Sequence, residues 1–335
     1  MFRPNAILRS AFGLVAALVL AACGGSPSAA TTPGQPTALT ASYSELVPDE
    51  WGPWAAADGG YFTKNNLDVT LTSISSATGV AALLSNQTQI AQLGGSEVLS
   101  AAASGGDLVI VANLVPVYPY VFLTQPNITS PNQLKGTKIG ISKKGGSADI
   151  ATRAALQSMG LDATKDVTIV ETGSSSNRVA ALKSGAIQGG VSQPPESTLL
   201  VKQGFHVLLD MASKKIPAAN TVVATTGAYL KGHRAVVQAY VDALVQALKR
   251  LRTDETFADQ VLMKWEKLSD TSTLGDTYQF YTQEVFPQYP FPRAAQYQPA
   301  IDTLKSSNPK VTSLDLTKLL DASFVQSASD RKLGA

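Results

Sequence analysis

Cysteine is all but missing from this chain. The 335 residues hold one, Cys23, so no intrachain disulfide and no cysteine-based metal cluster can form. Histidine is nearly as scarce: His206 and His233 alone make a histidine-rich metal site an unpromising reading, and no metal or other cofactor is expected. Charge of one sign is also lacking. The formal balance of +2 includes Arg3 and Arg9, and without them acidic and basic residues are equal in number. A neutral body exerts no long-range pull on phosphate backbones, so nucleic acid is not an expected partner. No G-x-x-x-x-G-K-[ST] loop is present, which sets aside a nucleotide-hydrolysing role. The apolar run Ala11–Ala22 is too short to span a bilayer, which takes about 20 residues.

That run is instead the right length for the core of a signal peptide, with Arg3 and Arg9 before it. It ends in Leu20-Ala21-Ala22-Cys23, followed by Gly24, which resembles the bacterial lipobox. Residues 1–23 are therefore read as a lipoprotein signal peptide with Cys23 as the lipidated residue. Residues 24–37, rich in Gly, Ser, Pro and Thr, are read as a flexible tether. The body is expected outside the cytoplasm, on the periplasmic or cell-surface face, touching the membrane only through its lipid.

What is present is a unit that occurs twice. Leu67–Gly95 reads as strand (Leu67–Thr72), Ser-rich loop (Ser73–Thr78), helix (Gly79–Asn86) and strand (Gln89–Leu93). Asp166–Gln193 repeats that order, with Val80 and Val179 as matching points. The copies lie roughly a hundred residues apart, far beyond the about 20–50 of a solenoid repeat, so they suggest two α/β lobes. In each, the Ser-rich loop lies at the carboxyl end of a strand, where open α/β sheets bind small ligands.

Around these units, strands are expected at Leu39–Tyr43, Leu108–Asn113, Lys138–Ser142, Phe205–Leu209 and Thr221–Thr225. Val121–Thr124 is expected to be an extended crossover. Helices are expected at Trp54–Asp58, Glu97–Ser104, Ser147–Met159 and Pro195–Gln203. His233–Arg252 is the clearest helix, with an apolar stripe through Val237, Tyr240, Val241, Leu244 and Leu248. Lobe one is assigned 38–122 and 222–335, with the C-terminal helices packing around it, and lobe two 123–221. Two crossovers, near 121–126 and 216–222, would form a two-strand hinge.

Three groups of residues, in this order, carry a family resemblance. They are Gly60-Tyr61-Phe62 with Leu67-Asp68-Val69 and Ala82–Ser85; Leu134–Gly140 with Gly160-Leu161-Asp162; and Arg178 with Ser184–Ile187 and Pro194-Pro195-Glu196. Together they resemble the substrate-binding proteins of ABC importers for sulfonates, nitrate, taurine and thiamine-precursor pyrimidines. The resemblance implies an α/β, two-lobed type II periplasmic-binding-protein fold, each lobe a mixed, mainly parallel sheet flanked by helices. It also implies capture of a small solute between the lobes and its delivery to an ABC permease by a monomer, without catalysis. One departure is Gln188 after Ile187, where the family often has an acidic residue.

The expected cleft draws on helix starts and aromatic rings. Ser75 and Ser76, Ser147, and Ser174, Ser175 and Asn177 stand at three helix starts, whose free N–H groups suit anionic or carbonyl groups. These serines either touch ligand or merely cap their helices. Gly95 and Ser96 either admit a ligand close to the backbone or make a tight turn. Tyr43, Trp51, Tyr118 and Tyr120 are placed at the mouth, with Trp54 in the core. The loop with Glu45, Asp49 and Glu50 is either a solvated acidic loop or part of the site, and it disfavours an anionic solute. A planar or heterocyclic solute, vitamin- or pyrimidine-like, is therefore expected ahead of an alkylsulfonate, taurine or nitrate. Arg178 is expected to support its loop through an ion pair, and Glu196 to help close the lobes. Enzymes on this fold use a cysteine or histidine, and the body has no cysteine after Cys23. A ligand-sensing lipoprotein is the rival of another class.

Overall fold

Strands with alternating or wholly apolar sequence build two five-stranded sheets in a computed structural model that describes residues 35–335. The segment read as a signal peptide, Cys23 and most of the segment read as a tether lie outside the described residues. Along the chain the strands are β1 (Thr37–Tyr43), β2 (Leu67–Ser73), β3 (Ile90–Leu93), β4 (Leu108–Val117), β5 (Val121–Thr124), β6 (Lys138–Ile141), β7 (Thr168–Glu171), β8 (Gly189–Ser192), β9 (His206–Asp210) and β10 (Pro217–Thr226). The helices used below are α1 (Trp51–Asp58), α2 (Tyr61–Lys64), α3 (Ser76–Leu84), α4 (Gly95–Ala103), α5 (Ser147–Ser158), α6 (Ser175–Lys183), α7 (Glu196–Lys202), α8 (Gly227–Thr253), α9 (Glu255–Glu266), α10 (Leu274–Gln279) and α11 (Gln298–Leu304).

The sheets run β2-β1-β3-β10-β4 and β7-β6-β8-β5-β9. In each, the first three strands are parallel and the remaining pairings antiparallel. The repeated sequence unit thus becomes the same half-sheet twice: β2–α3–β3 and β7–α6–β8. The fold class is the α/β, two-lobed periplasmic-binding-protein class expected from sequence. β3 and β8 sit in the sheet interior with every residue buried, which explains their short apolar or glycine-rich sequences.

Several expectations shift. Val121–Thr124 is not a crossover but an interior strand, β5, bonded to both β8 and β9. The chain passes between the sheets just before it, at 118–120, and returns at 211–216, ahead of β10. α3 starts at Ser76 rather than Gly79, because Ser75 already has the extended backbone of a cap. α8 begins at Gly227, capped by the Thr226 side chain, and breaks its helical geometry at His233, where the predicted helix began.

One apolar cluster lies over β1 and β4 beneath α1, α8 and α9, where Trp54 stacks on Trp265 with ring centroids 5.6 Å apart. A second runs without interruption from Leu93 and Val98 through Tyr118, Tyr120 and Phe122 to Ile139 and Ile150. The C-terminal segment does not pack on lobe one alone: Leu304 at the end of α11 joins this second cluster and lies against Gly145 of the β6–α5 loop. Its reach is tertiary, since nothing in its local sequence names the partner. Among the described residues no helix is long and apolar enough to cross a membrane.

Candidate functional site

The carboxyl ends of the parallel strands of both sheets face one cavity. Its lining comes from the loops after β1 (Ser44–Glu50), β2 (Ser75), β3 (Gly94), β6 (Ser142–Gly146), β7 (Gly173) and β8 (Gln193), with the starts of α3, α5 and α6 and with Asn220 and Thr221 of β10. This is where switch points of open α/β sheets hold ligands. About 170 Å³ is open between its walls, close to the about 150 Å³ that admits a benzene-sized ring. A wider surface depression of about 900 Å³ lies between α5, the 160–164 loop and the end of α11. No lining residue there has a buried polar atom without a partner.

The structure brings together six of the expected site residues: Glu45, Ser75, Ser76, Tyr120, Ser147 and Ser175. Their hydroxyls are partly engaged. Ser76 Oγ accepts from the Gly94 N–H at 3.2 Å, Ser147 Oγ donates to the Asn220 carbonyl at 3.2 Å, and Ser175 Oγ accepts from Arg178 at 3.3 Å.

The other expected residues fall elsewhere. Trp51 is fully buried at the start of α1, donating to the Ala258 carbonyl at 3.1 Å and packing edge-on against Tyr281, because a ring this apolar fits the core better than a wet mouth. Tyr43 packs edge-on against Trp54 and Trp265 in the same core. Tyr118 and Ser96 border a small void beside the cleft, and Ser96 Oγ donates to Glu97 at 2.8 Å. Gly95 serves packing rather than ligand approach: a Cβ there would meet the Ala219 Cβ at 2.6 Å and the Ala219 carbonyl at 2.7 Å. Ser174 is the N-cap of α6, accepting from the Asn177 N–H at 3.1 Å, and Asn177 itself is exposed. Glu196, half-buried at the start of α7, is not in the cavity lining.

The acidic loop is not solvated. Asp49 and Glu50 are 4% and 0% exposed, in the 3-10 turn Pro48–Glu50 that leads into α1. Asp49 Oδ1 accepts from Tyr281 at 2.7 Å and Gln193 at 3.2 Å, and Oδ2 accepts from Asn220 at 2.6 Å. One carboxylate thereby joins the loop after β1, the loop after β8 and the return strand β10. Burial pushes its pKa up to about 7, with the Tyr281, Thr221 and Asn220 side chains opposing. Glu50 Oε1 accepts from the Ser44 hydroxyl at 2.6 Å and its N–H at 3.0 Å, and burial pushes Glu50 up to about 8. Glu50 Oε2 and Asn220 Oδ1, both in the cavity wall, have no partner.

Arg178 makes no ion pair, contrary to expectation. It is 3% exposed and donates to the Val191 carbonyl at 2.7 Å, Ser142 Oγ at 2.6 Å and Ser175 Oγ at 3.3 Å. Burial lowers its pKa, and nearby Tyr120, Glu45 and Glu196 oppose that. On the other side, burial raises the Glu45 carboxyl, opposed first by Arg178 and then by the Ser175 backbone N–H. Glu45 and Arg178 line the same cavity, one from the loop after β1 and the other from α6. Burial also raises Glu97, which lines the cavity. Asp49, Glu50, Glu97, Gln193 and Asn220 were not named as ligand contacts from sequence. The one signal available was three acids in seven residues next to two tryptophans, an odd composition for a solvated loop. Among the described residues no group of His, Cys, Asp and Glu is arranged to hold a metal ion.

Comparison with solved structures returns this fold. A protein from Bordetella bronchiseptica RB50 is 18% identical with a TM-score of 0.75, covering 88% of this chain and 98% of its own. The periplasmic aliphatic sulphonate-binding protein SsuA of Escherichia coli is 20% identical with a TM-score of 0.70, covering 85% and 97%. The periplasmic nitrate-binding protein NrtA of Synechocystis PCC 6803 is 15% identical with a TM-score of 0.72, covering 89% of each chain. No curated protein matches the sequence. The NMT1/THI5-like family profile matches residues 48–254, which span both half-sheet units, all of α8 and the cleft loops apart from the start of the first, and the chain belongs to that family.

Proposed function

We propose that this chain is the extracytoplasmic solute-binding lipoprotein of an ABC importer. It captures a small organic solute between its lobes and hands it, unaltered, to a membrane permease. The observation that carries this reading is a cavity walled by strand ends of both sheets and bordered by buried polar atoms without partners. The sulphonate and nitrate binders named above share its fold, which supports the role. In this reading 38–122 with 222–335 and 123–221 move as two bodies about the crossovers, and a solute touching both favours the closed state. Cys23 carries the lipid, 24–37 is the leash, and the protein works as a monomer.

The favoured solute is planar or heterocyclic, vitamin- or pyrimidine-like, ahead of an alkylsulfonate, taurine or nitrate. Glu45, Asp49, Glu50 and Glu97 line the cavity, and whichever of them is ionised repels an anion. Tyr120 offers a ring in the wall for a planar partner. Ser75, Ser76, Ser147 and Ser175 supply hydroxyls for its polar edge.

Native mass spectrometry of gently purified protein tests this reading. A co-purified small organic molecule, released on denaturation, is the expected result. Adding it back at about 100 times its dissociation constant should stabilise the protein by about 2.7 kcal/mol. Steady chemical conversion of that molecule by the purified protein would overturn capture without catalysis.

A further inference from the structure

Asp49 is held from three directions, and one of them comes from the other side of the cavity. Tyr281 reaches it at 2.7 Å from a π-helical turn, Phe280–Val285, and Asn220 at 2.6 Å from β10. Such turns are rare and concentrate at functional sites. This one is braced by Lys215 of the return crossover, whose Nζ donates to the Gln283 and Glu284 carbonyls at 2.9 Å and 2.8 Å. The third donor is Gln193, from the loop after β8 of the second sheet, at 3.2 Å. Asp49 and Gln193 are 4% and 3% exposed, and both line the cavity. Other links across the cleft are wetter. The bond from Ser147 to the Asn220 carbonyl is only partly buried. Lys202 of α7 reaches the Ser272 carbonyl at 3.0 Å and the Asp276 carboxylate at 3.7 Å on the surface. A buried bond to a carboxylate outweighs exposed ones, for which water competes.

We propose that the Gln193–Asp49 bond is a latch that holds the cavity shut on the chain's own residues, so the protein closes without solute and opens by breaking it. This rests on the two-lobe capture reading above and goes beyond it. Opening frees Gln193 alone. Tyr281 and Asn220 keep their hold on Asp49, so no carboxylate is stranded without donors when the lobes part.

Hydrogen exchange read by mass spectrometry tests the latch in the full chain, dialysed until native mass spectrometry finds no bound small molecule. It is run at pH 8, above the about 7 of Asp49, so that this carboxyl is ionised. Gln193→Leu should speed exchange of the cavity loops 44–50, 142–148 and 173–178 at least about tenfold. Strands β1 and β4, in the apolar core of the first sheet, should exchange as they do in the unaltered chain. Gln193→Ala should act in the same way and serves if Gln193→Leu does not fold. Unchanged exchange of the cavity loops in both variants would show that the bond does not hold the cavity shut. Faster exchange throughout the chain, or loss of folding in both variants, would make the bond merely structural. Each of these results overturns the proposal and leaves solute capture standing, because that reading is decided by the co-purified molecule and its fate.

Discussion

Two copies of one strand–loop–helix–strand unit face each other across the cleft, and their matched positions are not chemically alike. Gly79 and Arg178 each stand one residue before the matching valines, Val80 and Val179. In the second copy the guanidinium ties helix, sheet and neighbouring loop together through three hydrogen bonds. In the first copy the position is bare, and a Cβ there would meet only the Ile74 carbonyl, at 3.7 Å. Farther along, Gly94 corresponds to Gln193 and Glu97 to Glu196. Glu97 enters the cavity lining and Glu196 does not. The same backbone thus presents acid on one side and a buried base on the other. Duplicated architecture fixes where a site lies, while single side chains fix what each wall offers.

The largest expected effect tests the acidic wall. Asp49 and Glu50, raised to about 7 and about 8, hold protons in the folded state that the unfolded chain releases near pH 4. Their contribution to stability is fully present below about pH 4 and is lost as pH rises through about 8. Urea denaturation should therefore show a loss on the order of 4 kcal/mol from each group across that window, flattened in Asp49→Asn and Glu50→Gln. A stability that rises steadily from pH 5 to 8 would show that these carboxyls are not buried as described.

The basic wall should break next. Arg178→Ala leaves the Val191 carbonyl and Ser142 without their charged donor, so chemical denaturation should register a loss of about 3 kcal/mol. Gly95→Ala tests the packing seam behind the acidic wall. Its Cβ runs into Ala219, backbone included, and about 2 kcal/mol should be lost in the same measurement. The smallest effect completes the comparison of copies. Gly79→Ala, inside α3 with room for a methyl, should raise stability by about 0.5–1 kcal/mol, a gain of about one or two degrees in melting temperature.

Much of the molecule was legible because it depends on local pattern. Alternation, capping serines and glycines such as Gly160, with φ of +76°, are set by neighbours in sequence, and they placed most strands and helices within a few residues. The duplicated unit and the ordered motifs pointed to the fold class and to the strand ends as the site. Half of the cleft was lost to sequence reading because burial is not local. Trp51 and Tyr43 looked like mouth aromatics but were drawn into the core by Trp265, Tyr281 and Phe286, more than two hundred residues away in the chain.

By itself the sequence determined the periodic elements, the doubling of the α/β unit and the neutrality of the body, since each follows from residue type and spacing. Only tertiary structure decided which charges are dry. Asp49 has three partners, Gln193, Asn220 and Tyr281, and Glu45 shares a cavity with Arg178 only because two sheets distant in sequence close on one another. A carboxylate's cost and use depend on the dielectric and the donors around it, and those are properties of assembled space rather than of order along the chain.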